Sequence, residues 1–213
     1  MISVRNVKLR FQTKVIFDGI NHEFDVNKIY CIMGKSGIGK TTLLRLMAGL
    51  IMPDKGTVFY ENRELRKPVP EIFMMHQNYT NFPWKTCLEN VILPIKLHSK
   101  VTEEKKENVI RILQNVGLED YINKYPYELS GGMNQRLALA RTLIMRPKVI
   151  LMDEPLSALD SDTRAKMQDL IKRFQTESKC LIIMITHDER EAEIMAERDN
   201  CFCLQDGCIK KYN

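Results

Sequence analysis

The stretch Gly34-Lys35-Ser36-Gly37-Ile38-Gly39-Lys40-Thr41 decides how the rest of the chain is interpreted. It fits the pattern G-x-x-x-x-G-K-[ST], with an apolar run before it and a helical pattern after it. Such glycines let the backbone curl so that several N–H groups point at phosphate oxygens, and the following helix adds the positive end of its dipole. The stretch predicts a nucleotide-phosphate site formed by Gly34, Lys35, Ser36, Gly37, Ile38, Gly39, Lys40, Thr41 and Thr42.

Two adjacent carboxylates follow another apolar run. Val149–Met152 ends in Asp153 and Glu154, and a strand that ends this way places both at the carboxyl edge of a sheet, where α/β proteins bind ligands. Asp153 can hold Mg²⁺ together with the hydroxyl of Thr41. Glu154 can orient or deprotonate an attacking water. Together with the phosphate loop, this pair predicts a nucleoside triphosphatase.

The order of elements predicts an α/β fold with a P-loop NTPase core. Continuous apolar runs are typical of strands in a parallel sheet that is covered on both faces. They occur at Ile29–Met33, Ile72–Met75, Val149–Met152, Leu181–Ile185 and Cys201–Leu204. Apolar residues at helical spacing separate them, in the sets Leu43/Leu46/Met47/Leu50, Val109/Ile112/Leu113/Val116 and Met167/Leu170/Ile171/Phe174.

Two other segments depart from this alternation. Val4 to Phe24 alternates apolar and polar residues, which predicts an N-terminal antiparallel β subdomain. Residues 80–140 have a mainly helical pattern and predict a helical subdomain inserted into the α/β core. We interpret the whole chain, residues 1–213, as a single domain with this insertion.

Composition excludes few classes of protein. Hydrophobic residues make up 44% of the 213 residues and charged residues 28%, as in an ordinary globular domain. A net charge of +5 is a weak signal, and we expect no nucleic-acid partner from it. No apolar run approaches the roughly 20 residues that cross a bilayer, so we expect a cytoplasmic protein.

A third motif indicates the family. Leu129-Ser130-Gly131-Gly132-Met133-Asn134-Gln135-Arg136 resembles the LSGGQ signature of ATP-binding cassette (ABC) ATPases. The family's other elements appear in the expected order, each next to a predicted strand. Gln77 resembles its Q-loop, Asp160 ends a D-loop-like Ser157-Ala158-Leu159-Asp160, and His187 resembles its switch histidine. Phe11 occupies the position of the aromatic residue that stacks on adenine.

The resemblance implies a cycle of ATP binding and hydrolysis with Mg²⁺. Thr41, Gln77 and Asp153 would hold the metal, and Glu154 and His187 would act in catalysis. Ser130 can cap the helix that starts at Gly131, which leaves N–H groups there for an anion. In the family, this signature, here Ser130 to Met133, faces the γ-phosphate bound by a second subunit. Two subunits arranged head to tail then enclose two ATP molecules, and Asp160 lies at the nucleotide.

The signature differs from the family pattern at one position. Met133 replaces its glutamine, as in the subfamily that imports nitrate, sulfonates and taurine, which Asn78-Tyr79-Thr80-Asn81-Phe82-Pro83-Trp84 also resembles. Phe82 and Trp84 are interpreted either as local core or as a docking surface for a membrane subunit. Import of a small solute is the favoured function. The alternatives are a short ATPase of an export or lipoprotein-release system and a non-transport ABC ATPase.

The resemblance also implies the partners and the location. We expect a second ABC ATPase subunit, as an identical copy of the chain, together with transmembrane permease subunits and a solute-binding protein. The chain would lie at the inner face of the cell membrane.

Overall fold

The structure, a computed structural model, describes residues 1–78 and 80–212. Tyr79, part of the segment that resembles the import subfamily, lies outside the described residues. The chain divides into two compact units. The first consists of Met1–Met74, Lys148–Glu154 and Gln175–Asn213, and the second of Met75–Pro147 and Pro155–Phe174.

The described part of the chain contains ten strands and six α-helices. The described strands are β1 (Ile2–Phe11), β2 (Lys14–Phe24), β3 (Ile29–Met33), β4 (Lys55–Tyr60), β5 (Arg63–Glu64), β6 (Ile72–Met75), β7 (Val149–Asp153), β8 (Leu181–Ile185), β9 (Cys201–Gln205) and β10 (Cys208–Lys211). The described α-helices are α1 (Lys40–Met47), α2 (Cys87–His98), α3 (Glu103–Asn115), α4 (Gly131–Leu143), α5 (Ser161–Ser178) and α6 (Glu189–Met195).

The N-terminal strands form an antiparallel sheet. Within the described ranges its order is β2-β1-β4-β5. Strands β1 and β2 pair from Ile2 opposite Phe24 to Phe11 opposite Lys14. The buried side chains Ile2, Val4, Val7 and Leu9 of β1 belong to the core of the first unit. This sheet confirms the predicted antiparallel N-terminal part of the fold.

The second sheet is mostly parallel, as predicted. Its order in the described part of the chain is β10-β9-β3-β8-β7-β6. Strand β3 pairs in parallel with β8 and β9, β7 pairs in parallel with β8, and β10 is antiparallel to β9. Every residue of β3, β7 and β8 is buried, which explains why these strands are continuous apolar runs. The five predicted strands are confirmed, each to within one residue.

One apolar position predicted on a helix was wrong. Leu50 completes the spacing of the first helical stripe, but α1 ends at Met47, and Leu50 is 48% exposed. The chain turns back there, because the N–H of Leu50 donates to the carbonyl of Arg45 and that of Gly49 to Leu46. This pair of bonds is a Schellman motif, which satisfies the last carbonyls of a helix and ends it.

Helices dominate the second unit. Helices α2 and α3 pack on α4, and Val91, Leu113 and Leu137 are among the residues fully buried there. Thr86 and Glu89 form a capping box that fixes the start of α2. We propose residues 80–140 of this unit as the inserted helical subdomain. No helix in the described ranges has the length and apolar character needed to span a membrane.

We expect Gly56→Ala to destabilise the first unit. Gly56 of β4 has φ +80° and faces an irregularity in β1, where a Cβ would lie 2.2 Å from the backbone oxygen of Asn6. Positive φ and the backbone clash together should cost about 3 kcal/mol of unfolding free energy, measured by urea titration. Gly131→Ala is the matched control, since a Cβ there meets nothing within 4 Å. Equal stability of the two variants would contradict the prediction.

Candidate active site

The predicted phosphate loop connects a buried strand to a helix in the first unit. Strand β3 ends at Met33, and α1 begins at Lys40. Gly39 is the N-cap residue, with φ 113°, and has no side chain to occupy the first N–H groups of the helix. A Cβ on Gly39 would lie 2.7 Å from Ile16 and 3.1 Å from Phe17, so only glycine lets the loop pack against β2. The helix N-terminus therefore remains available to an anion.

Lys40 is folded onto this loop. Its side chain is almost completely buried, and Nζ donates to the carbonyl of Gly34 at 2.7 Å and to that of Lys35 at 3.1 Å. The ammonium group thus lies among the peptide groups predicted to surround the phosphates. A cation held by carbonyl groups is available to an anion that enters the loop.

Thr41 and Asp153 meet although they are far apart in the sequence. The hydroxyl of Thr41 donates to Oδ2 of Asp153 at 2.8 Å. Asp153 is the last residue of β7 and is 3% exposed. The parallel sheet brings the first turn of α1 and the carboxyl end of β7 to one place. Two oxygen ligands suitable for a hard cation therefore lie side by side.

Glu154 and His187 form a second pair at the same edge. Oε2 of Glu154 lies 3.6 Å from Nδ1 of His187. Glu154 has φ +50°, a left-handed conformation that is strained for a residue with a side chain, and its N–H donates to the carbonyl of Ile185 at the end of β8. Such strain is concentrated at functional sites. The hydrogen bond to β8 thus holds the backbone of Glu154, and with it the carboxylate, in an unusual conformation.

Phe11 is at the tip of the β1–β2 hairpin. Phe11 is 51% exposed, and it pairs with Lys14 across the turn. Nζ of Lys14 lies 3.4 Å from the carbonyl of Gly37. The hairpin tip is therefore next to the phosphate loop, and an exposed aromatic face is available for stacking.

The signature residues and Asp160 lie in the second unit. Ser130 is the N-cap of α4 and accepts a hydrogen bond from the N–H of Met133 at 3.2 Å. Ser130 and Gly131 are exposed, and Gly132 lies close to the carbonyl of Ala158. The backbone N–H of Thr163 donates to Asp160 at 3.0 Å, and this bond lowers the pKa of the Asp160 carboxyl. Gln77 lies in the segment that follows β6 and is exposed.

Comparison with known proteins identifies the family. The ABC transporter family matches residues 17–157. The chain belongs to the ABC transporter family. It is an ATPase of that family, which confirms the resemblance seen in the sequence.

Curated relatives of this ABC ATPase include importer subunits. The nitrate transport protein NasD of Klebsiella oxytoca is 38% identical over 93% of the chain and 78% of the relative. The nitrate import ATP-binding protein NrtD of Synechocystis sp. is 39% identical over 92% of the chain and 74% of the relative. The spermidine/putrescine import ATP-binding protein PotA of Marinobacter nauticus is 38% identical over 99% of the chain, which spans only 57% of that relative.

A solved structure also resembles this ABC ATPase along nearly its whole length. The dimeric structure of a post-hydrolysis state of the ATP-binding cassette MJ0796, bound to ADP and Pi, has a TM-score of 0.89 and 30% sequence identity. It matches 99% of the chain, and the match covers 97% of the solved chain. The fold class is therefore confirmed.

Sequence reasoning missed several polar residues that organise the signature region of the ABC ATPase. Gln135 is 1% exposed, and its Oε1 accepts from the N–H of Ala158 at 3.0 Å, which attaches the segment after Glu154 to α4. Asn81, Asn90 and Asn134 also make several hydrogen bonds each. Asn134 and Gln135 lie inside the signature and Asn81 inside the segment that resembles the import subfamily, but the residue pattern does not predict which groups they bond. The functional roles of the residues predicted from the sequence stay predictions.

Proposed function

We propose that this ABC ATPase powers the import of a small solute through transmembrane permease subunits at the inner face of the cell membrane. The contact between Thr41 and Asp153 carries the ATP-hydrolysing part of the proposal, since it joins the phosphate loop to the acidic strand end within one unit. The names of NasD, NrtD and PotA support the import direction. A solute-binding protein would then complete the assembly outside the membrane.

Mg²⁺ fits the donors that the first unit provides. The hydroxyl of Thr41 and the carboxylate of Asp153 are oxygen ligands 2.8 Å apart, and Asp153 is buried, so a cation there would be partly shielded from water. Bound Mg²⁺ would neutralise charge on the phosphates. The part predicted for Gln77 in metal binding stays a prediction.

The other residues of the first unit would bind ATP and direct hydrolysis. Lys40 would leave the carbonyls of Gly34 and Lys35 for the β- and γ-phosphates, while backbone N–H groups from Gly34 to Thr42 surround the phosphate chain. Phe11 would stack on adenine. Glu154 would accept a proton from the attacking water, and His187, 3.6 Å away, would hold the carboxylate or the γ-phosphate in position.

A second copy of the chain would complete each site. The exposed Ser130 hydroxyl and the N–H groups of Gly131 and Gly132 form a helix N-terminus that can bind the γ-phosphate of ATP held by the other copy. Asp160 and Met133 would lie beside it. The dimeric form of the solved relative supports this arrangement. Hydrolysis and loss of phosphate would then open the dimer.

Dimerisation that depends on ATP tests this proposal. In a Glu154→Gln background, which slows hydrolysis, we expect a dimer with ATP and a monomer without it, measured by size-exclusion chromatography with light scattering. Adding Ser130→Arg should abolish the dimer, because a bulky side chain would fill the space required by the γ-phosphate. Gln114→Arg is the control, since it adds the same charge on an exposed face of α3. A monomer in ATP, or a dimer that tolerates Ser130→Arg, would contradict the proposal.

A further inference from the structure

A pair of asparagines connects the signature helix to the loop that carries Trp84. Nδ2 of Asn81 donates to the backbone carbonyl of Asn134 at 2.8 Å and to its Oδ1 at 3.0 Å. Asn134 lies in the first turn of α4, and Asn81 lies in the segment between β6 and α2. We call Asn81 and Asn134 the asparagine clasp. Because both side chains are half-buried, their bonds are partly shielded from competing water.

The clasp also holds the turn that leads into the signature. Nδ2 of Asn134 donates to the carbonyls of Pro126 at 2.8 Å, Ser130 at 3.2 Å and Leu129 at 3.3 Å. The amide nitrogen of Asn134 therefore donates to the backbone carbonyl of Ser130, while its amide oxygen accepts a hydrogen bond from Asn81. A displacement of the turn at Ser130 changes both sets of bonds together.

On its other side, the clasp continues into the loop of residues 80–86, which Arg141 of α4 contacts. The guanidinium of Arg141 lies over the ring of Phe82 at 4.8 Å and donates to the carbonyl of Thr80. Burial lowers the pKa of Arg141, which is consistent with a cation held against an aromatic ring away from water.

Asn90 fixes the rest of this loop. It is fully buried, accepts from the N–H of Phe82 at 2.8 Å and donates to the carbonyls of Lys85 at 2.9 Å and Thr86 at 3.0 Å. The Phe82 and Trp84 rings are 5.7 Å apart. The loop of residues 80–86 is thus bonded to α2 through Asn90 and to α4 through Arg141.

We propose that the asparagine clasp is a positioning device that transmits the ATP-dependent contact at Ser130 to the surface around Trp84. Trp84 is 69% exposed, so a shift of the loop changes a surface available to a partner. The inference rests on the proposed function, since it requires the signature of one copy to contact ATP in the other. Asn134 acts through Ser130, and Asn81 acts through the loop, so neither needs to touch nucleotide.

Trp84 gives a direct readout, because it is the single tryptophan of the chain. In the full-length Glu154→Gln protein, we expect ATP to shift the emission maximum of Trp84 and to change its quenching by acrylamide. Light scattering on the same samples reports the dimer. Asn81→Ala, which leaves the bonds of Asn134 to the turn at Ser130 intact, should dimerise with ATP but lose the ATP-induced shift. Asn115→Ala, at an exposed position of α3, should keep it.

The outcomes separate the inference from the proposed function. If the dimer forms and the shift survives in Asn81→Ala, the clasp does not transmit the contact, and the inference is overturned while the function stands. A dimer without any shift in the parent also overturns it. Failure of the parent to dimerise in ATP overturns the proposed function, and the inference falls with it. Asn81→Ala is the deciding variant, because it removes the bonds to Asn134 and leaves α4 unchanged.

Discussion

Replacing Glu154 by glutamine should lower the rate of ATP hydrolysis by about 10²- to 10⁴-fold, the range typical of losing a positioned general base. Glutamine has the shape of glutamate but does not take a proton from water. The substitution also preserves the side-chain length, so ATP binding should change little. The rate is measured as phosphate release at saturating ATP, and the affinity by calorimetry.

The contacts around Glu154 support a large loss of hydrolysis rate. The carboxylate lies 3.6 Å from His187 and follows Asp153, whose carboxylate contacts Thr41. Glu193→Gln, at an exposed position of α6, is the matched control and should keep the parental rate. If Glu154→Gln hydrolyses ATP within a few-fold of the parent, another group is the base, and the role proposed for Glu154 is wrong.

Replacing Lys40 by methionine should weaken ATP binding by on the order of 100-fold or more, because a charge-assisted hydrogen bond contributes about 1.5–3 kcal/mol and Lys40 would make such bonds to two phosphates. Methionine fills a similar volume without the charge. The dissociation constant for ATP is measured by calorimetry.

The Lys40 variant also has a folding cost that must be separated from binding. Removing the ammonium leaves the carbonyls of Gly34 and Lys35 without this donor, so thermal unfolding is followed alongside binding. Lys96→Met, at an exposed position of α2, is the control for loss of one positive charge. Unchanged ATP affinity in a folded Lys40→Met protein would exclude Lys40 from the phosphate site.

The mostly parallel sheet was predictable because its central strands are covered on both faces. Ile29–Met33 and Leu181–Ile185 are continuous apolar runs, and the structure has strands with the same bounds. Leu50 was misassigned because apolar spacing does not show where a helix ends, which depends on backbone bonds to Arg45 and Leu46. The spacing of apolar residues reflects which positions are buried, whereas backbone hydrogen bonds determine where a helix ends.

The candidate site was predictable where spacing itself carries the chemistry. The phosphate loop and the Asp153–Glu154 pair stand out because phosphate binding needs particular residue types at fixed intervals. The left-handed backbone of Glu154 was not predictable, since nothing in the residue type indicates positive φ. The asparagine clasp was missed for a similar reason: Asn81 and Asn134 are far apart in the sequence, and neither repeats at a regular spacing.

Because the backbone at Glu154 is left-handed, thermal stability and the proposed ATP hydrolysis favour different residues at this position. Glycine would adopt φ +50° without the roughly 1–3 kcal/mol cost of such strained backbone, yet it has no carboxylate. Under the role proposed for Glu154, selection for thermal tolerance alone would therefore favour a variant that resists heating and hydrolyses ATP slowly. Under the same role, glutamate is retained at this position only while ATP hydrolysis remains under selection.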